Sequence, residues 1–232
     1  SDEGSYTAQV RQTDLVGNVS NIETLEFTLD TSAAAPVLML VSDSGASSSD
    51  LITDDGRITV EGIENNASWQ YSVDGGSNWT DGSESSFEVT AEGDYDIRVR
   101  QTDVAGNASG IGSLTVTLDK TVQSPSLELT NDNGTNSSDN ITNDGSVTVS
   151  GLESGASWEY RIGSDSDAEW ISGSANSFNV EGANNSGTDG SKTVYVRQTD
   201  AAGNLSDISS LGFTLDTVVP ASDSLELRTD TN

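Results

Sequence analysis

The sequence predicts an all-β chain of tandem sandwich domains. Three observations carry this. Apolar residues fall in short alternating blocks, as half-buried strands require. Turn-forming Gly, Asn, Asp and Ser separate the blocks roughly every 8–12 residues, as in sandwiches. One string, Val-Arg-Gln-Thr-Asp, occurs three times, at Val10–Asp14, Val99–Asp103 and Val196–Asp200.

The repeat sets the domain organisation. Each copy of the string runs on into Gly17-Asn18, Gly106-Asn107 or Gly203-Asn204 and then reaches Thr-Leu-Asp, ending at Asp30, Asp119 and Asp216. The spacing is 89 residues between the first two copies (99 − 10) and 97 between the last two (196 − 99). The extra residues of the last copy fall in polar stretches around Gly163–Asp167 and Ala183–Ser191, so they lengthen loops. Residues 31–120 and 121–217 therefore read as two full repeats. Residues 1–30 read as the C-terminal part of a preceding repeat and 218–232 as the start of a following one, since Leu225–Leu227 matches Leu127–Leu129.

In the first full repeat the blocks Val37–Val41, Arg57–Ile63, Ser68–Val73, Ser86–Thr90, Tyr95–Thr102 and Ser113–Leu118 read as strands. Alternation places Trp69, Tyr71 and Val73 on one face, and puts Tyr95, Ile97 and Val99 inward with Arg98 and Arg100 outside. Asp74-Gly75-Gly76 supplies the positive φ of a hairpin turn. No helical periodicity appears. The Trp on the third strand is an immunoglobulin-type core feature. The strand phase assigns all four tryptophans to cores rather than to a sugar-stacking surface.

Composition excludes several functions. The 232 residues hold 9 basic and 38 acidic side chains, a formal charge of −29, which argues against nucleic acid and anionic membranes as partners. No run of about 18–20 apolar residues offers a membrane span. There is no Cys and no His, so disulfides, Cys/His zinc sites and His-based catalysis are absent. A domain near 90 residues with few large apolar side chains needs another source of stability, and cysteine cannot supply it.

Three acidic clusters recur in register. The first is the loop after the opening strand, with Asp43, Asp50 and Asp55 in one copy and Asp132, Asp139 and Asp144 in the next; Asp230 aligns with Asp132. The second is the Thr-Asp-x-x-Gly-Asn turn holding Asp14, Asp103 and Asp200. The third is the strand-end aspartate, Asp30, Asp119 and Asp216. Turn chemistry explains any one of these. Their joint recurrence points to a bound cation. Calcium, which takes six to eight oxygens, suits such loops better than magnesium, which demands a tight octahedron. The clusters are expected to converge at repeat junctions, Asp14 and Asp30 on Asp43, Asp50 and Asp55, and Asp103 and Asp119 on Asp132, Asp139 and Asp144.

The chain resembles the bacterial immunoglobulin-like repeats of giant calcium-binding adhesins, the type I-secreted (RTX-type) proteins. The resemblance rests on the Asp-x-Gly…Asp-x-Ile-Thr-x-Asp-Gly loop, Gly155–Tyr160, the Val-Arg-Gln-Thr-Asp-x-Ala-Gly-Asn turn and the Leu-Asp-Thr ending. It implies tandem immunoglobulin-like β-sandwiches arranged as an extended rod, calcium at the junctions, and an extracellular or cell-surface place. The implied role is a monomeric, non-enzymatic stalk in attachment or biofilm formation. Its partners are then the neighbouring repeats, with another domain binding the target. The alternative is a carbohydrate-binding or accessory module of an extracellular polysaccharide-acting enzyme.

Overall fold

In the computed structural model the chain divides into two compact units between Lys120 and Thr121. Residues 2–163, 169–182 and 188–221 are described. Both inserted loops and Asp230 thus lie largely or wholly outside the described residues.

The first unit opens with an antiparallel hairpin, β1 (Gly4–Val10) and β2 (Glu23–Leu29), in which Gly4 pairs with Leu29 and Val10 with Glu23. Then follow β3 (Val37–Leu40), β4 (Ile52–Thr53), β5 (Arg57–Glu61), β6 (Ser68–Ser72), β7 (Thr80–Asp81), β8 (Ser86–Glu88), β9 (Gly93–Thr102) and β10 (Gly112–Leu118). They form two sheets, β3-β5-β8 and β4-β10-β9-β6-β7. The second unit repeats this with β11 (Ser126–Leu129), β12 (Ile141–Thr142), β13 (Ser146–Ser150), β14 (Ser157–Ile162), β15 (Ile171–Ser172), β16 (Ser177–Asn179), β17 (Gly190–Thr199) and β18 (Ser209–Leu215). Its sheets are β11-β13-β16 and β12-β18-β17-β14-β15. Among the described residues, the pairings between these strands are antiparallel except β4 with β10 and β12 with β18. Among the described residues one 3₁₀ turn, Val180–Gly182, departs from the all-strand expectation, and three residues are too few to show a period.

Alternation fills the space between the sheets. Ile58, Ile97 and Val99 are fully buried, with Leu38, Val60, Trp69, Val89, Val116 and Leu118 packed around them. The second unit uses Val147, Val149, Trp158, Phe178, Val180, Val194, Val196, Phe213 and Leu215. Trp69 packs beside the stacked pair Tyr71 and Phe87, as Trp158 does beside Tyr160 and Phe178. Each indole lies flat on a glycine. A Cβ at Gly82 would fall 2.0 Å from the Trp69 ring, and one at Gly173 2.1 Å from that of Trp158. The Tyr95 hydroxyl donates to the Ala91 carbonyl at 2.6 Å, the tyrosine corner of immunoglobulin-type sandwiches, and Tyr6 makes the same bond to Asp2.

Two expectations need correction. Val73 is exposed, because β6 stops at Ser72 and the chain turns away. Trp79 and Trp170 are half-buried and belong to neither core. They lie on the outer face of the five-stranded sheets, where Arg100 stacks 4.1 Å from the Trp79 ring and Arg197 4.2 Å from that of Trp170. The outward arginine phase was right; the loop between β6 and β7 carries Trp79 round to meet it. Trp69→Ala should therefore cost roughly 3–5 kcal/mol in urea unfolding, as core truncations do, and Trp79→Ala only about 1 kcal/mol, the scale of an exposed cation–π contact.

The hairpin after β6 turns through Gly75 and Gly76, at φ 70° and 90°. Asp74 caps it by accepting the Asn78 N–H at 2.9 Å, the Asn78 amide at 2.6 Å and the Ser72 hydroxyl at 2.7 Å. These donors, the Asn78 N–H foremost, hold its carboxyl down from the usual 3.8 to about 2. A depressed folded-state value stabilises the fold above the ordinary carboxylate range and loses that contribution as pH falls toward 2. A carboxyl NMR titration should place the Asp74 midpoint near 2, and Asp74→Asn should flatten the fall in stability between about pH 4 and pH 2.

Candidate metal centre

Gln101 builds the site. It follows Val99 inward on β9 and is fully buried. A buried amide must find partners. Its Nε2 donates to the Ala34 carbonyl in the linker at 2.7 Å and to the Gly62 carbonyl at 2.8 Å, while its Oε1 accepts the Glu64 N–H at 2.7 Å. The linker is thereby tied to the loop between β5 and β6. The Ala34 N–H closes the circuit by donating to Glu64 Oε1 at 2.8 Å.

Two residues beyond Gln101, Asp103 caps the turn between β9 and β10. Its Oδ1 accepts the Asn107 N–H at 2.7 Å and its Oδ2 the Asn107 side-chain amide at 2.7 Å. That amide also donates to the Asp30 carbonyl oxygen at 3.1 Å, which draws the end of β2 onto the turn. The Asn107 amide holds the Asp103 carboxyl below its usual range. Asp103 is only 8 % exposed. The outcome is one carboxylate oxygen each from Asp30, Glu64 and Asp103, all within 4.8 Å of one another. Among the described residues no arginine or lysine pairs with any of the three.

The second unit repeats the scaffold. Gln198, fully buried, donates to the Gln123 and Gly151 carbonyls and accepts the Glu153 N–H; the Gln123 N–H donates to Glu153 Oε1 at 2.8 Å. Asp200, 4 % exposed, is capped by Asn204 as Asp103 is by Asn107. Asp14 makes the same bonds to Asn18 and is exposed. In sequence, Asp119 is the counterpart of Asp30.

The expected convergence of the acidic clusters is not what the structure shows. Gly112 pairs with Val99 and Leu118 with Gly93, so the β9–β10 turn and the exit of β10 are at opposite ends of the hairpin. Asp103 and Asp119 are thus separated by the length of β10, about 20 Å at 3.3 Å per residue. The Asp43–Asp55 loop lies at the exit end of its own unit, where β4 runs beside the end of β10 and the Asp119 N–H donates to the Thr53 carbonyl. It does not meet Asp14 or Asp30. Asp14 lies in the β1–β2 turn, at the far end of that hairpin from Asp30. In the second unit the Asp132–Asp144 loop likewise sits at the exit end, where Asp139 and Asp216 line one hollow and the Asp216 N–H donates to Thr142.

These loops have an ordered interior. Asp43 Oδ2 accepts the Leu51 N–H at 3.2 Å and Asp132 Oδ2 the Asn140 N–H at 3.1 Å, with Leu51 and Asn140 at φ 62° and 58°. Their other oxygens, Asp43 Oδ1 and Asp132 Oδ1, are buried with no hydrogen-bond partner. Asp50 and Asp139 cap Ile52 and Ile141. Asp55 pairs with Arg57 at 2.6 Å, whereas Asp144 bonds Asn131 and Ser146. Glu64 and Glu153 were not anticipated. A signal for them exists in the sequence, because Gly62-Ile63-Glu64 and Gly151-Leu152-Glu153 stand 89 residues apart (153 − 64), the spacing of the repeat.

Each full repeat is an all-β sandwich with a buried glutamine under an acidic turn, the plan of a tandem immunoglobulin-like repeat. The chain belongs to the bacterial Ig-like domain family, which matches residues 32–120 and again 121–217. No curated protein matches it. Similar solved structures include the fibronectin(III)-like modules of Clostridium thermocellum CbhA, at 12 % identity over 82 % of this chain and 100 % of that one, TM-score 0.39. A tetra-tandem repeat in the extending region of a large adhesion protein matches at 20 % identity over 93 % of this chain and 57 % of that one, TM-score 0.32. A 1.5-MDa bacterial ice-binding adhesin matches at 17 % over 91 % and 73 %, TM-score 0.36. Likeness at this level carries no argument about activity.

Proposed function

We propose that this chain is a calcium-rigidified extender, or stalk, of a secreted or cell-surface bacterial adhesin acting in attachment or biofilm formation. The observation that carries the reading is the Asp30, Glu64 and Asp103 cluster. Asp30 ends one repeat's last strand, while Glu64 and Asp103 belong to the next repeat. A cation held by all three would tie the exit of one repeat to the body of the following one. Hard oxygen donors and the absence of His and Cys suit calcium, and the remaining oxygens of its shell come from water or backbone carbonyls. Glu153 and Asp200 reproduce two of the donors, and by sequence register Asp119 is the third. A second calcium position in each repeat is the opening loop, supported by the donorless Asp43 Oδ1 and Asp132 Oδ1.

The role is mechanical, without catalysis. Neighbouring repeats are the partners, and a domain elsewhere meets the target. The sugar-binding alternative loses its main support, since arginines lie over the outer-face tryptophans.

Like charges make a specific signature. In chelator, Glu64→Gln should leave the melting temperature of the first unit unchanged or raise it, because repulsion is relieved. In calcium the same variant should melt lower than wild type, because a ligand is lost. Wild-type stabilisation by calcium should approach about 2.7 kcal/mol per site at 100-fold saturation. Calorimetric titration with calcium and then magnesium supplies the affinities. A Glu64→Gln effect of the same sign with and without calcium, or no calcium heat at all, would contradict the reading.

A further inference from the structure

Outside the cluster, one acidic side chain sits in the same place in all three copies of the repeat. Glu3 immediately precedes β1, and its Oε1 accepts the Thr31 N–H at 3.1 Å, the Thr31 hydroxyl at 2.7 Å and the Ser32 hydroxyl at 2.8 Å. Glu92 immediately precedes β9 and accepts the Lys120 N–H at 2.9 Å. Asp189 immediately precedes β17 and accepts the Thr217 N–H at 2.9 Å and hydroxyl at 2.7 Å. The spacings, 89 and 97, are those of the repeat (92 − 3 and 189 − 92). In each case a glycine with positive φ follows the acid, at 141°, 140° and 121°, which starts the strand without moving the carboxylate away from its partner. The N–H accepted always belongs to the residue just after the strand-end aspartate.

We propose that Glu3, Glu92 and Asp189 are linker clamps, positioning residues that fix the peptide leaving the last strand and so aim the strand-end aspartate. For Asp30 the restraint is complete on the backbone side. Leu29 is held in the β1–β2 ladder, the Asp30 carbonyl by Asn107, and the Thr31 N–H by Glu3. The side chain is restrained as well, its Oδ1 accepting the Ser32 N–H at 3.3 Å, and it offers a carboxylate oxygen within 4.8 Å of those of Glu64 and Asp103. An unclamped linker would leave the aspartate to sample many directions, and ordering it on binding would cost conformational entropy. A carboxylate suits the task because it accepts several donors at once, and charge-assisted bonds to N–H and hydroxyl groups are the stronger kind. Glu3 is a positioning residue in this scheme, since the group of carboxylate oxygens lying within 4.8 Å of one another is that of Asp30, Glu64 and Asp103, without Glu3.

The consequence for calcium rests on the function proposed above, so the test has two readouts. The first is exchange of the Thr31 amide hydrogen, followed by NMR in chelator. It should be protected in the wild type and lose that protection in Glu3→Ala. The second is a calcium titration followed on the Asn107 side-chain amide, which touches both Asp103 and Asp30. Glu3→Ala should weaken the apparent affinity about 10-fold, the lower end of outer-shell effects, and Glu3→Asp should restore most of it, as the third copy already uses aspartate. Melting in chelator should match wild type, which separates positioning from folding. Rapid Thr31 exchange in the wild type would overturn the clamp. Lost protection with unchanged affinity would overturn its positioning role. A wild type that binds no calcium, while Thr31 protection still depends on Glu3, would overturn the cation reading and leave the clamp standing.

Discussion

A single buried amide organises the end of each sandwich. Gln101 and Gln198 lie where Val99 and Val196 would otherwise be followed by another apolar residue, and neither can be left without partners in that setting. Satisfying all its bonds forces three chain segments together: the linker at Ala34 or Gln123, the glycine-containing loop at Gly62 or Gly151, and the strand itself. Glu64, Glu153, Asp103 and Asp200 follow from that arrangement as near neighbours of the amide in sequence or in bonding. The acidic cluster is therefore a product of core construction, and its position at the linker is not accidental to the fold.

The same constraint links small-domain stability to mechanics. Each core contains about nine buried apolar residues and no cross-link. Gathering the Asp30, Glu64 and Asp103 carboxylates beside such a core, with no arginine or lysine paired to them among the described residues, opposes folding in the absence of a cation. Under the function proposed above, a divalent ion would reverse the sign, and would do so across a linker. Stability of the repeat and stiffness of the joint would then depend on one equilibrium.

Much of this was legible in the residues. The strands, their faces and the Asp74 hairpin follow from period-two alternation and glycine placement, and the recurring aspartates mark loops that are indeed structured. The errors have physical causes. A motif says which acids recur but not which end of a hairpin they occupy: an antiparallel pair sets its turn opposite its exit, so the β9–β10 pairing separates Asp103 from Asp119. Strand phase was extended to Trp79 and Trp170, which sit in or beside turns where phase no longer applies. Val73 failed for the same reason. Glu64 was missed because its role depends on a bond to Gln101, 37 residues away, and no local pattern encodes that.

The central claim is that a cation shared between repeats stiffens the array. Small-angle X-ray scattering of the chain in calcium and in chelator tests it most directly, with Asp30→Asn and Asp119→Asn as variants. The account predicts a longer, narrower distance distribution in calcium than in chelator, and an Asp119→Asn distribution in calcium that resembles the chelated wild type. Equal distributions with and without calcium, in protein shown by calorimetry to be loaded, would contradict it.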